Sequence, residues 1–414
     1  MTSARVRIFT FGCKVNQCDS EEIARSLARR GYHIGAPGDP ADTYIINTCT
    51  VTATADAKAR KLIRRLGREH PESTIIATGC LAETNPYALL NLPGVAAVIP
   101  NSRKLSLPDF LPELHSPLLP TSHVPSRTRA FVKVQDGCDH GCAYCIVPAA
   151  RGKPVSKPLA ALVAEIHTLV DEGAREAVLC GIRLGAYGRD RGDTTLAAVL
   201  RQLRDIAIPR LRLSSIEPMD LGSDLLREVA DHPILCHHLH LPLQSGDDTL
   251  LAAMGRGYTA ADFAGLAASV RAAWPDAALT TDIMVGFPGE TEEQFDHTCS
   301  FVRELGFTRL HVFPYSPRPG AAAVGLPDQV PANVKRRRTQ AALALAEDLA
   351  AASAQQWIGR EVDVLFEQRG RAGLLTGLTP HYHRIHARGP DDWIRRIIHV
   401  TPTREEAGRL HVDL

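Results

Sequence analysis

The chain shows three successive patterns of apolar and polar positions. In residues 1–122, short apolar runs alternate with longer amphipathic segments. The runs VRIFTFG, TYIINTC, STIIATGC and VAAVIP have the length and composition of buried strands, and helical periodicity lies between them. Strands separated by helices predict an α/β domain that is built on a parallel sheet.

In residues 123–355 a helix and a strand follow each other about six times, from FVKVQDG to TRLHVFPYSP. This repetition predicts a partial (β/α)6 barrel, whose functional residues lie at the C-terminal ends of the strands. Residues 356–414 change to short alternating strands with glycine turns, which predicts a small antiparallel β-barrel. The fold class is therefore α/β multidomain, and the stretch from Leu105 to about Pro125 is predicted to be a linker.

Two helices have boundaries that the sequence suggests. The first is predicted on DSEEIARSLARRG, capped by Asp19 or Ser20 and ended by Gly31. The last long helix is predicted to begin at KRRR, residues 335–338, and to end near Gln356. Four bases at a helix start are unfavourable for the helix dipole, so an anionic partner is attractive there.

Composition narrows the class of protein. The 414 residues carry a net charge of only +1, so the net charge does not indicate a nucleic-acid-binding protein. No stretch reaches the roughly 18 apolar residues of a membrane helix, and the N-terminus lacks the apolar core of a signal peptide. We therefore expect a cytoplasmic protein without a membrane partner. Ten cysteines in such a chain favour metal or redox chemistry over disulfides.

Three of these cysteines, Cys138, Cys142 and Cys145, lie in one short loop with the spacing C-x3-C-x2-C. Three thiolates suit a cubane iron–sulfur cluster with one iron left open for a small chelating ligand. The alternative is a zinc knuckle that adds His140 as fourth ligand, although this spacing fits no common zinc finger.

With Tyr144 before the last cysteine, the loop resembles the radical S-adenosylmethionine (SAM) superfamily, and QDGCDHGCAYCIVPAARG resembles its methylthiotransferase family. The resemblance implies a [4Fe-4S] cluster on the three loop cysteines. Its open iron would chelate the amino and carboxylate groups of SAM, and electron transfer would cleave SAM to methionine and a 5′-deoxyadenosyl radical. No catalytic side chain beyond the clusters and SAM is implied.

Three further cysteines, Cys13, Cys49 and Cys80, each follow a predicted strand of the first domain. Because parallel strands end at one edge of a sheet, we expect the three to be neighbours in space. The alternative is that they are buried as small apolar residues. Their surroundings, FGCKVNQCDSE, INTCTVTATADAKARK and ATGC, resemble the cysteine motifs of the methylthiotransferases, which implies a second, auxiliary [4Fe-4S] cluster.

Polar and glycine motifs follow the strands of the predicted barrel, where a carboxylate or amide would otherwise be costly to bury. By resemblance they bind the methionine, ribose and adenine parts of SAM, although turn chemistry alone would also explain the glycine motifs. Ala149 and the glycines at 255 and 257 depart from the usual family pattern. The SAM-binding candidates are Tyr144, Gly181, Ser215, Glu217, Gln244, Asp282 and Phe287.

Local basic surfaces would have to bind RNA if the protein does so. The stretch GLTPHYHRIHA resembles the RNA-binding TRAM domain that ends many methylthiotransferases of tRNA. Each basic cluster could also be an ordinary solvated helix face, and each aromatic residue could belong to a core. The RNA-binding candidates are Arg60, Arg64, Arg336, Arg337, Tyr382 and Arg384.

The resemblance implies methylthio transfer to an unactivated C–H bond, a reaction that requires a cofactor radical. The strings GCKVNQ and NTCTVTATAD are most similar to the branch that acts on N6-threonylcarbamoyladenosine at position 37 of tRNA. The alternatives are the isopentenyladenosine branch, the branch that modifies a ribosomal-protein aspartate, and an iron–sulfur RNA-binding sensor without catalysis. Expected partners are the tRNA anticodon stem-loop and an electron donor such as flavodoxin or ferredoxin, and we expect a monomer.

Overall fold

A computed structural model describes residues 4–36, 38–112, 128–370 and 373–413. The chain divides into two compact units. The first comprises the described residues of Met1–Ser126, Asp136–Val155 and Ser316–Val324, and the second those of Arg127–Gln135, Ser156–Tyr315 and Gly325–Leu414. The predicted division into 1–122, 123–355 and 356–414 stays a prediction.

The first unit contains the predicted parallel sheet, with strand order β2-β1-β3-β4-β5. Every residue of its central strand β3 is buried, as expected for a parallel strand that is covered on both faces. The strands are β1 (Arg5–Thr10), β2 (His33–Ile34), β3 (Thr43–Thr48), β4 (Thr74–Gly79) and β5 (Val95–Val98). The helices are α1 (Lys14–Arg29), α2 (Ala53–Glu69), α3 (Cys80–Thr84), α4 (Tyr87–Leu90) and α5 (Val147–Arg151).

Helix α1 begins earlier than predicted. Its N-cap residue is Cys13, and Asp19 and Ser20 lie inside the helix and are buried, so the predicted cap is wrong. The reason is tertiary: Asp19 pairs with Lys104, and the Ser20 hydroxyl accepts a hydrogen bond from Thr10 instead of capping. The helix ends as predicted, since Gly31 has a φ of +88°.

The predicted linker is wrong over 105–110. These residues belong to a 3₁₀-helix, Asn101–Phe110, in which Leu107 is fully buried. An apolar side chain in the core fixes a segment whose composition alone suggests a loop. Residues 113–125 of the predicted linker lie outside the described residues.

In the described part of the second unit, six parallel strands alternate with helices, the arrangement that the sequence predicts. The strands form two groups, β6-β9-β10 and β11-β12-β13, joined by bridges from Leu211 to Leu235 and from Ser215 to His240. These strands are β6 (Arg129–Lys133), β9 (Glu176–Cys180), β10 (Arg210–Leu213), β11 (His238–His240), β12 (Ala278–Val285) and β13 (Arg309–Pro314). The two-residue strands β7 (Gln135–Asp136) and β8 (Val155–Ser156) lie where the chain passes from one unit to the other.

Helices of the second unit flank these strands, and the longest, α12, begins three residues before KRRR and ends one residue before Gln356. One large apolar core fills the space between strands and helices. The helices are α6 (Leu159–Asp171), α7 (Leu196–Gln202), α8 (Ser223–Ala230), α9 (Asp248–Ala253), α10 (Ala260–Ala273), α11 (Glu292–Leu305) and α12 (Ala332–Gln355).

The last strands form a six-stranded sheet in the order β17-β14-β15-β16-β19-β18. The sheet is not wholly antiparallel as predicted, because β16 and β19 run parallel. Buried Arg210 and Arg212 donate to backbone carbonyls of residues 378–380, which ties this sheet to the barrel strands of the same unit. The strands are β14 (Val362–Arg369), β15 (Leu375–Leu378), β16 (Arg384–Ala387), β17 (Ile397–Val400), β18 (Arg404–Glu406) and β19 (Arg409–Val412).

Among the described residues, no helix has the length and apolar character needed to cross a membrane.

Candidate functional site

Cys13, Cys49 and Cys80, here called the strand-end triad, lie where the sequence places them. Cys13 begins α1 just beyond β1, Cys49 directly follows β3, and Cys80 directly follows β4. All three thiols are free. Adjacent strands of one parallel sheet thus bring together residues that are far apart in the sequence.

Asn16 of the KVNQ segment fixes the two loops that carry Cys13 and Cys49. Its side-chain amide donates to the carbonyls of Phe11, at 2.7 Å, and Thr48, at 3.0 Å. Asn16 is fully buried, and these two bonds hold the end of β1 against the end of β3. The motif residue therefore determines the position of the cysteines rather than offering a ligand itself.

Two glycines leave room for the strand-end triad. A Cβ on Gly12 would lie 2.7 Å from the Cys49 Sγ, and a Cβ on Gly79 would lie 2.4 Å from the Thr48 carbonyl oxygen. Both glycines have positive φ, +96° and +91°, which other residues adopt only with strain. Gly12 thus leaves room for the Cys49 sulfur, and Gly79 allows the end of β4 to lie close to the end of β3.

Burial distinguishes the members of the strand-end triad. Cys13 is exposed, whereas Cys49 and Cys80 are buried. Burial raises the pKa of Cys49 to about 12, and it raises the pKa of Cys80 although the Arg151 guanidinium opposes the shift. In the absence of a metal, burial therefore favours the neutral form of both thiols, and a bound metal would displace their protons.

Sequence reasoning missed the two buried cations of this region. The side chains of Arg151 and Lys104 are 1% and 4% exposed. Arg151 donates to Asp136 at 2.6 Å, and Lys104 lies 2.5 Å from an Asp19 oxygen. The only sequence signal for Arg151 is that it is the second-last residue of the string that resembles the methylthiotransferases, and Lys104 has no such signal.

Cys138, Cys142 and Cys145, here called the loop triad, are half-buried. Backbone amides point at their sulfurs: that of His140 at the Cys138 Sγ, 3.4 Å away, and that of Val147 at the Cys145 Sγ, also 3.4 Å away. Amide donors to sulfur stabilise thiolates and tune a cluster that they hold. Three thiolates with such donors fit an iron–sulfur cluster.

One contact supports the zinc-knuckle alternative: the Nδ1 of His140 lies 3.2 Å from the Cys142 Sγ. A tetrahedral zinc site needs four ligand atoms close together. Of the parts of the chain that the structure describes, the group whose ligand atoms all lie within 4.8 Å of one another is His240, Asp282 and His311, not the loop. The loop geometry therefore favours a larger cluster over one zinc ion.

In the second unit, Ser215 and Gln244 lie at the C-terminal ends of neighbouring strands. Ser215 bridges to His240 and Gln244 bridges to Ile283. Gln244 has a φ of +75°, and its backbone amide donates to the Asp282 carbonyl at 2.8 Å. A non-glycine residue in this conformation stores strain, which typically marks a functional position.

Glu217 has a partner that the sequence did not reveal. The fully buried Arg256, which lies between the two atypical glycines, forms an ion pair with Glu217. Arg256 also donates to the Pro242 carbonyl at 3.1 Å and to the Tyr258 hydroxyl at 3.0 Å. The pair fixes the Glu217 carboxylate at the end of its strand.

Asp282 lies between two histidines. The Nε2 of His240 is 3.2 Å and the Nδ1 of His311 is 3.1 Å from the same Asp282 oxygen. These two imidazoles outweigh the effect of burial and hold the pKa of Asp282 below its ordinary value. Thr280 fixes the ring of His240 through a 2.9 Å hydrogen bond to Nδ1. The site thus presents a carboxylate on β12 that is ionised at neutral pH.

Gly181 and Phe287 have sufficient packing reasons for their identity. A Cβ on Gly181 would lie 2.9 Å from the Leu184 Cα, and Phe287 is fully buried against the ring of Tyr315. Tyr144 is half-buried in the loop triad's segment. Their roles toward SAM stay predictions.

The RNA-binding candidates differ in exposure. Arg64 is exposed and Arg60 half-buried on α2, while Arg336 and Arg337 are exposed on α12, where Arg337 pairs with Glu292 at 2.6 Å. The neighbouring Arg338 is buried between Glu290 and Glu292 and is therefore structural. Among the four candidates on helices, these contacts leave Arg64 and Arg336 as the more accessible ones.

In the last sheet, Arg384 is exposed, whereas the ring of Tyr382 stacks on His238 with centroids 4.3 Å apart. The Arg212 guanidinium also lies 5.3 Å from that ring. Tyr382 has a φ of +69°, so its backbone is strained as well. One face of the ring is already used within the protein.

Comparison with known proteins gives two family matches and relatives along almost the whole chain. Residues 5–100 match the model described as uncharacterized protein family UPF0004, and residues 132–302 match the radical SAM superfamily. The two matches contain the strand-end triad and the loop triad, respectively.

The chain is 36% identical to the threonylcarbamoyladenosine tRNA methylthiotransferase MtaB of Bacillus subtilis, over 96% of this chain and 93% of that protein. It is 37% identical to the protein of the same name from Thermotoga maritima, over 91% and 90%. A tRNA-2-methylthio-N(6)-dimethylallyladenosine synthase of Cereibacter sphaeroides is 37% identical, over 97% of both chains.

Among solved structures, the radical SAM methyltransferase TsrM from Kitasatospora setae matches with a TM-score of 0.55 at 15% identity, over 75% of this chain and 73% of that one. The cobalamin-dependent radical SAM enzyme OxsB matches with a TM-score of 0.51 at 9% identity, over 84% and 56%. At these identities the likeness shows the radical SAM fold alone.

Proposed function

Because the chain belongs to the radical SAM methylthiotransferase family, we propose that it adds a 2-methylthio group to N6-threonylcarbamoyladenosine at position 37 of tRNA. The observation that carries the proposal is the presence of two separate cysteine triads on a chain that its threonylcarbamoyladenosine-named relatives match almost from end to end. A sensor without catalysis would not need the strained, polar strand ends of the barrel.

The loop triad would hold the SAM-binding [4Fe-4S] cluster, and the strand-end triad would hold the auxiliary one. When bound, the clusters and SAM supply the radical that removes a hydrogen atom and the sulfur that is methylated and transferred. The chain's own part is to orient them: the amides of His140 and Val147 donate to loop sulfurs, and Asn16 fixes the loops of the strand-end triad.

The strand ends of the barrel would bind SAM. The ionised Asp282 carboxylate, the fixed Glu217 carboxylate and the polar side chains of Ser215 and Gln244 would accept or donate hydrogen bonds to its ribose, amine and adenine groups. Support comes from the strained backbone of Gln244 and from the histidine pair that keeps Asp282 charged. The further candidates are Tyr144, Gly181 and Phe287.

The RNA partner would be the anticodon stem-loop, which contains position 37. Arg64 and Arg336 would contact phosphates because they are exposed cations, and Arg384 would do so from the last sheet. Arg60, Arg337 and Tyr382 are weaker candidates because each is partly covered or paired. The last sheet would act as a TRAM-like RNA-binding domain, flavodoxin or ferredoxin would supply electrons, and the enzyme would act as a monomer.

The substrate is tested by incubating reconstituted enzyme, SAM and reductant with two tRNAs that differ only at adenosine 37. The tRNA that bears threonylcarbamoyladenosine should gain a methylthio mass in nucleoside mass spectrometry, and the one that bears isopentenyladenosine should not. A site that pairs the polar threonyl group rejects an analogue without it, typically by 10⁴-fold or more. Equal turnover of the two would exclude this substrate assignment.

The second candidate substrate is dimethylallyladenosine-37 tRNA. It is favoured by one observation: relatives named for that reaction are as similar to this chain as those named for threonylcarbamoyladenosine. Exclusive turnover of the isopentenyl-bearing tRNA in the same experiment would establish this alternative.

The RNA surfaces are tested by charge reversal. Arg64→Glu and Arg336→Glu should each weaken tRNA binding and lower the slope of log affinity against log salt by about one, since each phosphate contact releases counterions. Arg191→Glu is the matched control, because Arg191 is half-exposed and paired with Asp193 in a loop outside the proposed surfaces. Unchanged salt slopes in both test variants would remove these residues from the RNA interface.

A further inference from the structure

Arg151 and Lys104 are buried cations in a part of the first unit that also contains both cysteine triads. Their side chains are 1% and 4% exposed, although arginine and lysine are almost never fully buried without partners. Removing two positive charges from water costs several kcal/mol per ion before any pairing. Such a cost indicates that the two cations interact with particular charged groups nearby.

Two carboxylates pair with these cations. Arg151 donates to Asp136 at 2.6 Å and to Asp19 at 3.4 Å, and also to the side-chain oxygen of Asn16. Lys104 lies 2.5 Å from Asp19 and 3.7 Å from Asp136. The charges of these two cations and two carboxylates sum to zero, so the group is neutral when the cysteines are left out.

The strand-end triad is the neighbour that this group faces. Helix α5, which ends at Arg151, packs against helix α3, which begins at Cys80. Arg151 also donates to the side chain of Asn16, which fixes the loops that carry Cys13 and Cys49. The positive charge of Arg151 opposes the increase that burial causes in the pKa of Cys80. The positive charge of Lys104 likewise opposes the increase in the pKa of Cys80. Three thiolates would place negative charge directly against these cations, and the guanidinium offers more donors than its two carboxylates use.

The same arginine is connected to the loop triad through Asp136. The Asp136 carboxylate accepts a 2.9 Å hydrogen bond from the Gly137 amide, and the next residue, Cys138, donates its amide to the Gly152 carbonyl at 3.0 Å. Gly152 directly follows Arg151. One buried side chain is thus bonded to Asn16, which fixes two loops of the strand-end triad, and to Asp136 at the start of the cluster loop.

We propose that Arg151, supported by Lys104, is a positioning residue that holds Cys80 and compensates the negative charge of the auxiliary cluster. The proposal rests on the proposed function for the presence of that cluster. Positive charge and hydrogen-bond donors at cluster sulfurs favour the more negative, reduced state and so raise the reduction potential. Arg151 therefore adjusts how readily the auxiliary cluster accepts an electron.

The test is the sign of the potential shift in full-length enzyme with both clusters, followed by EPR-monitored redox titration. Saturating SAM identifies the signal of the loop cluster, so the remaining signal belongs to the auxiliary one. Arg151→Gln removes a positive charge and should lower the midpoint potential of the auxiliary cluster. Asp19→Asn removes a negative charge from the same group and should raise it. Lys153→Gln, which removes an exposed lysine two residues away, is the matched control and should leave it unchanged.

Retention of iron gives a second readout. Loss of a residue that orients metal ligands typically costs 10–100-fold in affinity, so Arg151→Gln should release iron from the auxiliary cluster to a chelator at least about 10-fold faster. Arg151→Lys keeps the positive charge but has fewer hydrogen-bond donors. The midpoint potential of its auxiliary cluster should therefore stay close to the wild-type value, while iron is still released faster than from the wild type. If Arg151→Gln does not fold, Arg151→Lys and Asp19→Asn still give the sign and the retention result.

Shifts of the same sign in Arg151→Gln and Asp19→Asn, or no shift in either, would overturn the proposal, because a merely structural role does not depend on the sign of the charge removed. Failure of the proposed function looks different. Wild-type protein would then hold only about four irons, or would hold about eight and show no turnover of either tRNA.

Discussion

The loop triad and the strand-end triad differ in how the chain brings their sulfurs together. Cys138, Cys142 and Cys145 are close in sequence and half-buried, and two of their sulfurs accept hydrogen bonds from backbone amides two residues further along the chain. The strand-end cysteines come from three strand ends, two of them are buried, and a buried arginine from a distant segment bonds to Asn16, which fixes two of their loops. The first site depends on local spacing, and the second depends on the whole sheet.

This difference separates the ways in which the two sites can fail. A loop with its own donors should lose its cluster mainly through its cysteines. A site that is assembled by a sheet should also be sensitive to glycines, to Asn16 and to buried charge, none of which offers a ligand. Variants that affect one site and spare the other therefore test the comparison.

The largest effect is expected from changing the loop triad to alanine. Without its three thiolates no SAM-binding cluster can form, so SAM cleavage should fall to background and the iron content should fall from about eight to about four. Iron analysis and chromatographic detection of 5′-deoxyadenosine measure the two. Cys299→Ala, which removes a half-buried thiol of helix α11, is the control and should change neither. Persistent SAM cleavage in the triple variant would contradict the assignment of the loop.

The next effect concerns thiol reactivity after the clusters are removed. Burial raises the pKa of Cys49 from 9.0 to about 12, so at pH 8 its thiolate fraction is about 1,000-fold lower than that of an unperturbed thiol. Because only the thiolate reacts, the alkylation rate of Cys49 should increase about tenfold per pH unit between pH 8 and pH 10, without levelling off. Mass spectrometry of iodoacetamide-treated protein measures this, with exposed Cys13 as the internal reference. Equally fast labelling of Cys13 and Cys49 would mean that Cys49 is accessible and ionised.

A smaller and selective effect is expected from Gly12→Ala. The new Cβ would lie 2.7 Å from the Cys49 Sγ, so the auxiliary cluster should be lost while the loop cluster and SAM cleavage remain. Gly38→Ala is the matched control, since Gly38 also has positive φ, +103°, but a Cβ there meets nothing within 4 Å. Both changes cost roughly 1–2 kcal/mol of backbone strain. Only Gly12→Ala should reduce the iron content by about half, and equal iron loss in both would point to general destabilisation.

The strands and the two triads could be predicted because their signals are local. Apolar runs predicted the strands. A cysteine directly after such a run was predicted to lie at the edge of the sheet where the parallel strands end. The start of α1 was wrong because Asp19, a good capping residue, instead pairs with Lys104 from a distant segment. Such pairings leave no periodic trace in the sequence.

The same reason explains the functional residues that were missed. Arg151, Lys104 and Arg256 look like ordinary surface bases in the sequence, yet each is buried against partners far along the chain. Conversely, Arg337 and Tyr382 look available in the sequence, but each already has a partner within its unit. Charge is visible in a sequence, whereas burial of a charged side chain is decided by tertiary contacts.

The central claim is that the two triads hold two clusters with different tasks, one for SAM cleavage and one for sulfur transfer. The most direct measurement uses the variant in which Cys13, Cys49 and Cys80 are all alanine, incubated with SAM, reductant and threonylcarbamoyladenosine-bearing tRNA. We expect about four irons, continued formation of 5′-deoxyadenosine and no methylthio nucleoside. Full iron content, or methylthiolation at the wild-type level, would contradict the account.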